Sequence, residues 1–77
     1  MNKFYMICDE TTGEVFYYET MENALEKFQT IVEENGCESA EDRREIVVAV
    51  RDFKMRRNNL VSDKFGATLV EQEFTKN

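Results

Sequence analysis

The sequence contains no histidine, no tryptophan and no proline. Histidine is the commonest general acid–base group and a frequent metal ligand, so its absence removes the usual catalytic and many metal-binding arrangements. A pair of carboxylates can still hydrolyse a sugar, but 77 residues leave little room for a cleft that excludes water. We therefore expect a protein that is not an enzyme, with no catalytic residue, no metal site and no cofactor.

Long hydrophobic runs are also missing. The longest strongly apolar run, residues 46–50, is far shorter than the roughly 20 residues that a membrane span requires. The first ten residues, MNKFYMICDE, lack the apolar core of a signal peptide. Cys8 and Cys37 do not have the spacing of metal ligands, and we expect two reduced thiols, at least one of them in the core. These absences predict a cytoplasmic protein that contacts no membrane.

The size and composition predict one domain. A chain of 77 residues is enough for one domain and too short for two. A hydrophobic fraction of 42% with nine aromatic residues supports a packed core. We expect a single α+β domain over residues 1–74, followed by a frayed tail at 75–77.

Two short aromatic segments, residues 3–8 and 15–18, predict a β-hairpin. Gly13 can adopt the left-handed conformation that closes a three-residue loop with a bulge, and this loop type pairs Cys8 with Phe16. The register sorts the side chains into two apolar faces. One face holds Phe4, Met6, Cys8, Phe16 and Tyr18, and the other holds Tyr5, Ile7, Val15 and Tyr17. The second face is either covered by the C-terminal segment or open to a partner.

An amphipathic helix is predicted over residues 21–34. Thr20 has the character of an N-cap, apolar residues recur at helical spacing, and Asn35 with Gly36 forms a stop signal. A last strand is predicted over residues 67–74.

The segment between residues 45 and 57 admits two interpretations. Residues 46–50 are rich in β-branched side chains, which lose freedom in a helix, and this favours a strand. Ser39 to Asp42 resembles a helix-capping signal, and Ile46 and Phe53 would share one helical face. The favoured prediction is an α+β fold with a small antiparallel sheet, in the order ββαββ, packed on one amphipathic helix. The alternative order is ββααβ.

Charge is unevenly distributed along the chain, whose formal net charge is −6. Residues 1–42 hold 11 acids and 2 bases, whereas residues 43–64 hold 3 acids and 7 bases. A molecule with separated charge can orient itself on a charged partner.

The acidic half contains a candidate protein-binding surface. Glu22, Glu26 and Glu33 fall within a narrow arc of the predicted helix. Glu33 and Glu34 lie at its C-terminus, where negative charge opposes the helix dipole at roughly 0.3–1 kcal/mol each. With Glu14 of the hairpin, these acids form the predicted surface for a basic partner, such as the nucleic-acid groove of a host enzyme. The competing interpretation is a solvated helix face.

The basic segment suggests an alternative function, RNA or DNA binding. Its candidate residues are Arg51, Phe53, Lys54, Arg56 and Arg57, with Arg43 and Arg44 upstream. Arginine with an interleaved aromatic residue suits phosphate contact and base stacking. The competing interpretation is that these cations balance the acids of the same domain.

The order of the elements resembles small ββαβ host-takeover proteins encoded by bacteriophages. The similarity covers roughly residues 3–53 and includes the helix start Glu19–Lys27, ETMENALEK. That family includes a short inhibitor of bacterial RNA polymerase, in which an arginine on the third strand and acids near the hairpin engage the target. The resemblance implies these roles for Arg51 and Glu14. The last strand and the basic segment depart from the family's pattern.

The resemblance implies a non-catalytic inhibitor or regulator of a bacterial nucleic-acid enzyme or defence system, acting in the host bacterial cytoplasm. The leading hypothesis is therefore a protein-binding module that meets a host nucleic-acid-binding protein through its acidic surface. Nucleic-acid binding through residues 51–57 is the alternative, and a homodimer built on the two-sided sheet is a third hypothesis.

Overall fold

The computed structural model describes residues 2–74, which form four strands and two helices. They are β1 (Asn2–Asp9), β2 (Glu14–Tyr18), α1 (Met21–Glu34), α2 (Ala40–Arg56), β3 (Leu60–Ser62) and β4 (Ala67–Phe74). The strands form one antiparallel sheet in the order β2-β1-β4-β3.

The predicted α+β class with a small antiparallel sheet is confirmed, whereas the tail at 75–77 lies outside the described residues. Within residues 2–74, neither helix is long and apolar enough to cross a membrane.

Helix α1 agrees with its prediction at both ends. The Thr20 side chain accepts a hydrogen bond of 3.2 Å from the backbone N–H of Asn23, which satisfies one of the free donors of the first turn. The helix ends at Asn35, and Gly36 follows with a positive φ of 105°. The face that includes Phe28 and Ile31 is buried against the sheet.

The predicted strand at residues 46–50 is wrong, because this segment lies inside α2. Ser39 caps the helix through a hydrogen bond of 3.0 Å from the backbone N–H of Asp42. Acids in the first turn and bases in the last turn complement the helix dipole, and Ile46 and Phe53 are buried on one face. These local interactions exceed the cost of a few tenths of a kcal/mol that each β-branched residue brings to a helix. The helical alternative is therefore correct for this segment.

One strand was not predicted. Leu60–Ser62 pairs with β4. Leu60 and Ser62 are buried, so this short strand closes the edge of the core. The observed order is ββααββ: the sheet has four strands, as in the predicted ββαββ, but the second helix replaces the strand predicted at residues 46–50, and β3 is the third strand.

The register of the β1–β2 hairpin differs by one residue from its prediction. Ile7 pairs with Phe16 and Cys8 pairs with Val15, because the turn contains four residues rather than three. The Asp9 carboxylate holds this turn by accepting hydrogen bonds from the backbone N–H and the hydroxyl of Thr11, at 3.0 and 2.6 Å. The side-chain period of a strand is two, so the shift moves the β2 side chains to the opposite faces from those predicted.

The core lies between the helices and one face of the sheet. Its buried residues come from every element except β2, whose Phe16 and Tyr18 are only partly buried, and from the loops that contain Cys37 and Phe65. They are Tyr5, Ile7, Ala24, Phe28, Ile31, Val32, Cys37, Ile46, Phe53, Leu60, Phe65, Ala67 and Leu69. Both helices therefore cover the same face of the sheet.

A polar cluster joins three loops at one end of the molecule. The amide of Asn35, at the end of α1, donates to the Phe65 carbonyl at 2.8 Å and to Asp9 Oδ1 at 3.4 Å. The backbone N–H of Glu10 donates to the Gly66 carbonyl at 2.7 Å. The hydrogen bond from the Thr11 side chain is the main reason that the pKa of Asp9 is lowered, although burial opposes it. These bonds fix the position of the hairpin turn relative to α1.

Candidate interaction surfaces

The acids predicted on α1 form an exposed row. Glu22, Glu26 and Glu33 are exposed and, at 100° per residue, lie within about 40° of one another around the helix axis. Glu33 accepts a hydrogen bond of 3.2 Å from the Gln29 amide. Within residues 2–74, no ion pair involves this row. We call these three residues the acidic row.

The other two predicted acids lie outside the acidic row. Glu34 is exposed but is turned about 100° from Glu33 around the helix axis. Glu14 opposes Asp9 at the start of β2, on the edge strand of the sheet. The predicted five-residue acidic surface therefore reduces to a continuous row of three on α1.

The structure divides the predicted basic patch. Phe53 is 1% exposed, so it cannot stack on a base; the prediction failed because α2 turns this side chain into the core. Arg56 Nε pairs with Asp52 Oδ1 at 3.0 Å, four residues earlier on the same helix. Arg57 Nη1 pairs with Glu71 Oε2 at 2.8 Å. Only Arg51 and Lys54 of the predicted patch line the same surface, a groove between the helices.

This groove is open and measures about 280 Å³. Gln29 contributes from α1, and Val47, Val50, Arg51 and Lys54 contribute from α2. Gln29 lies on the same side of α1 as the acidic row, whereas the charged residues that line the groove, Arg51 and Lys54, are both basic. Among the described residues, no ion pair crosses it.

The Glu71 carboxylate interacts with the C-terminal end of α2 and with the start of β1. Tyr5 Oη donates to its carboxylate at 3.0 Å, Arg57 lies at 2.8 Å and Lys3 Nζ at 3.6 Å. Burial acts to raise the pKa of Glu71, but the hydrogen bonds from Tyr5 and Arg57 and the two positive charges together lower it. Arg57, the C-cap of α2, holds a left-handed conformation with φ 56°. This cluster stabilises the fold and holds the Arg57 side chain in an ion pair with Glu71.

The four residues of the predicted apolar sheet face, Tyr5, Ile7, Val15 and Tyr17, do not lie on one side of the sheet. Tyr5 and Ile7 are buried beneath the helices, whereas Val15 and Tyr17 point to the opposite side of the sheet. The one-residue change of register is the cause. The side chains on the side away from the helices are Phe4, Met6, Cys8, Val15, Tyr17, Val61, Thr68, Val70 and Gln72. We call these nine residues the outer face.

The outer face carries no charged side chain among its nine members, and seven of them are apolar. Val15, Tyr17 and Val61 are 45%, 64% and 48% exposed. The rings of Phe4 and Tyr17 lie 6.1 Å apart and tilted, which is a favourable aromatic geometry. Alternation along β1 and β4 would have indicated this face once the hairpin register was known.

Both cysteines are free. Cys8 is half-buried on the outer face, whereas Cys37 is buried in the core. Burial raises the pKa of the Cys37 thiol, which keeps it in the unreactive protonated form. Cys8 is therefore the accessible thiol.

The described part of the chain contains no cluster of three acidic, cysteine or histidine side chains that could hold a metal ion. The second element after the hairpin is the helix α2, which contains Arg51, so Arg51 does not lie on a third strand, where the phage resemblance implied it would. Comparison with known proteins finds no match to a family model, to a curated protein or to a solved structure.

Proposed function

We propose that the protein is a non-catalytic binding module that inhibits or regulates a bacterial nucleic-acid enzyme or defence system, in line with its resemblance to small phage-encoded proteins. It acts in the bacterial cytoplasm by placing its acidic row against a basic surface of the target. The observation that supports this proposal is the acidic row itself, three exposed glutamates on one side of α1.

Two features of the acidic row oppose helix stability, so stability alone does not explain the row, although Glu22 itself lies in the first turn, where a negative charge complements the helix dipole. Glu22 and Glu26 are four residues apart, a spacing at which like charges repel along a helix. Glu33 lies in the last turn, where α1 has no basic residue to offset it. Solubility would be served equally well by acids spread around the exposed surface.

The dimensions of the acidic row suit a nucleic-acid groove. Eleven residue steps separate Glu22 from Glu33, which at about 1.5 Å per residue gives a row roughly 16 Å long. Carboxylates over this length can meet several of the Lys and Arg side chains that a nucleic-acid enzyme directs at phosphates. Blockade follows because the bound protein occupies that surface.

The test compares two variants with the same change of net charge. The row variant carries Glu22→Gln, Glu26→Gln and Glu33→Gln; the control carries Glu38→Gln, Glu45→Gln and Glu73→Gln, which are exposed acids elsewhere. In pull-downs from bacterial lysate, we expect wild type and control to capture the same nucleic-acid-binding protein, and the row variant to capture at least about tenfold less, or about 1.4 kcal/mol. Added DNA should compete with wild-type capture. Equal capture by the two variants would contradict the role of the acidic row.

Nucleic-acid binding is the second candidate, and it now rests on Arg51 and Lys54, which are exposed on one side of α2. We expect a gel shift at low salt, where phosphate contacts are strongest, to show binding that Arg51→Gln with Lys54→Gln removes. Arg56→Gln is the control for each single substitution, because it removes the same charge from a residue that is already paired with Asp52. Absence of a shift at micromolar wild-type protein would eliminate this candidate.

A further inference from the structure

We infer that the outer face of the sheet is a contact surface between two copies of this chain. The inference does not depend on the proposed function, because it concerns the side of the sheet away from α1 and its acidic row.

The composition of the outer face departs from that of a solvated sheet. A sheet covered by helices on one side normally alternates apolar residues inward with polar residues outward. Here seven of nine outward positions are apolar, although charged residues make up 34% of the chain. Its most exposed members, Tyr17, Val61 and Val15, leave roughly half or more of their surface in contact with water in the single copy.

Charge identifies the occupant as a second copy. Each copy carries a net charge of −6, so contacts through most of the surface bring like charges together. A two-fold axis places one patch against the same patch, and such a contact avoids repulsion only where the patch is uncharged. No member of the outer face is charged, and the Glu10 carboxylate that accepts a hydrogen bond of 3.0 Å from Thr68 lies at one end of this face, whereas α1 presents the acidic row and α2 presents Arg51 and Lys54.

The area of the outer face sets the expected strength of the dimer. The 24 strand residues, at about 4.8 Å between strands and 3.3 Å per residue, cover a footprint of roughly 400 Å² per copy. Two footprints give roughly 800 Å² for flat sheets, which is less than the roughly 1,000 Å² of a stable interface and belongs to the range of weak, transient contacts. We therefore expect a reversible dimer with a dissociation constant in the micromolar range.

Cys8 provides a reporter within the proposed contact. It is the accessible thiol and lies on the outer face, while Cys37 is buried. When the protein concentration rises from about 1 µM to about 500 µM, across the expected dissociation constant, the mass by light scattering should approach twice 9.1 kDa. Over the same range, the rate constant for the reaction of Cys8 with a disulfide reagent should fall at least about fivefold. A Cys8→Ser variant should lack this reaction, which shows that the measured rate belongs to Cys8.

Substitutions then locate the contact. Tyr17→Glu and Val61→Glu each place a charge at an exposed edge of the outer face, and we expect both to remain monomeric with a Cys8 rate that does not change with concentration. Val48→Glu is the control, because Val48 on α2 is exposed to a similar extent and the change in charge is the same. We expect it to dimerise as wild type does. Circular dichroism verifies that each variant is folded.

Two results would overturn the inference. The first is a wild-type mass of 9.1 kDa at every concentration with a constant Cys8 rate. The second is a dimer that Val48→Glu abolishes and Tyr17→Glu leaves intact, which would place the contact on α2.

Discussion

At the scale of single residues, Glu71 shows how a carboxylate can be accommodated in a small core. Its side chain is 12% exposed. It accepts a hydrogen bond from Tyr5 and forms ion pairs with Lys3, also on β1, and with Arg57, at the end of α2. Since the pKa of Glu71 is lowered in the folded protein, the folded state favours the ionised form. The resulting stabilisation is complete above the pKa of the unfolded carboxyl, near 4.5, and is lost as the pH falls through the lower folded value.

We expect Glu71→Gln to lower the free energy of unfolding by about 1–2 kcal/mol at pH 7, because hydrogen bonds to a charged group are lost. The difference from wild type should shrink as the pH falls below 4.5 and through the lower folded pKa, because the wild-type carboxyl then becomes protonated. Urea unfolding at several pH values measures both effects. Glu73→Gln, an exposed acid two residues away, is the control and should change the stability little. A difference that stays constant with pH would contradict the role of ionised Glu71.

At the scale of the elements, α2 shows that a hydrophobic run need not be buried along its whole length. Val47 and Val48 are 53% and 54% exposed, whereas Ile46 beside them is 4% exposed. A run of branched residues normally indicates a buried strand, and this is why residues 46–50 were predicted as one. The hydrogen bond from Asp42 to Ser39 and the helical spacing of Ile46 and Phe53 instead place the run in a helix.

Alanine substitutions distinguish the helix from the strand. In α2, Val47→Ala with Val48→Ala should leave the free energy of unfolding unchanged or raise it by about 0.5–1 kcal/mol in total, because alanine is the better helix former. Ile46→Ala should lower it by about 2–4 kcal/mol, since it leaves a cavity in the core. Urea unfolding measures both. In a buried strand both changes would be strongly destabilising, and that result would contradict the helix.

The elements also show what the sequence could predict. The ends of α1 depend on Thr20, Asn35 and Gly36, which lie beside the helix, and they were predicted correctly. The acidic row followed from the same helical spacing. The hairpin register depends on the Asp9 carboxylate and on contacts with distant loops, so its local sequence did not determine it. Burial of Phe53 likewise depends on how α2 is oriented on the sheet.

At the scale of the whole molecule, the two proposed contacts differ in their charge. The acidic row lies on a helix that covers one side of the sheet, and the uncharged outer face lies on the other. A copy can therefore engage a basic target and a second copy at once. Ionic strength acts on the two contacts in opposite directions, because it screens attraction at the acidic row and repulsion between copies that each carry −6.

We expect the dimer to strengthen by about threefold to tenfold between roughly 20 mM and 500 mM NaCl, as the Debye length shrinks from about 20 Å to about 4 Å. Capture of the basic target should weaken over the same range, because exposed charge pairs lose their attraction. Sedimentation equilibrium measures the first effect and pull-down at matched salt measures the second. The row variant, with three fewer negative charges per copy, should dimerise more tightly than wild type at low salt and equally at high salt. A dimer that weakens with salt would show that charged residues, rather than the outer face, hold the two copies together.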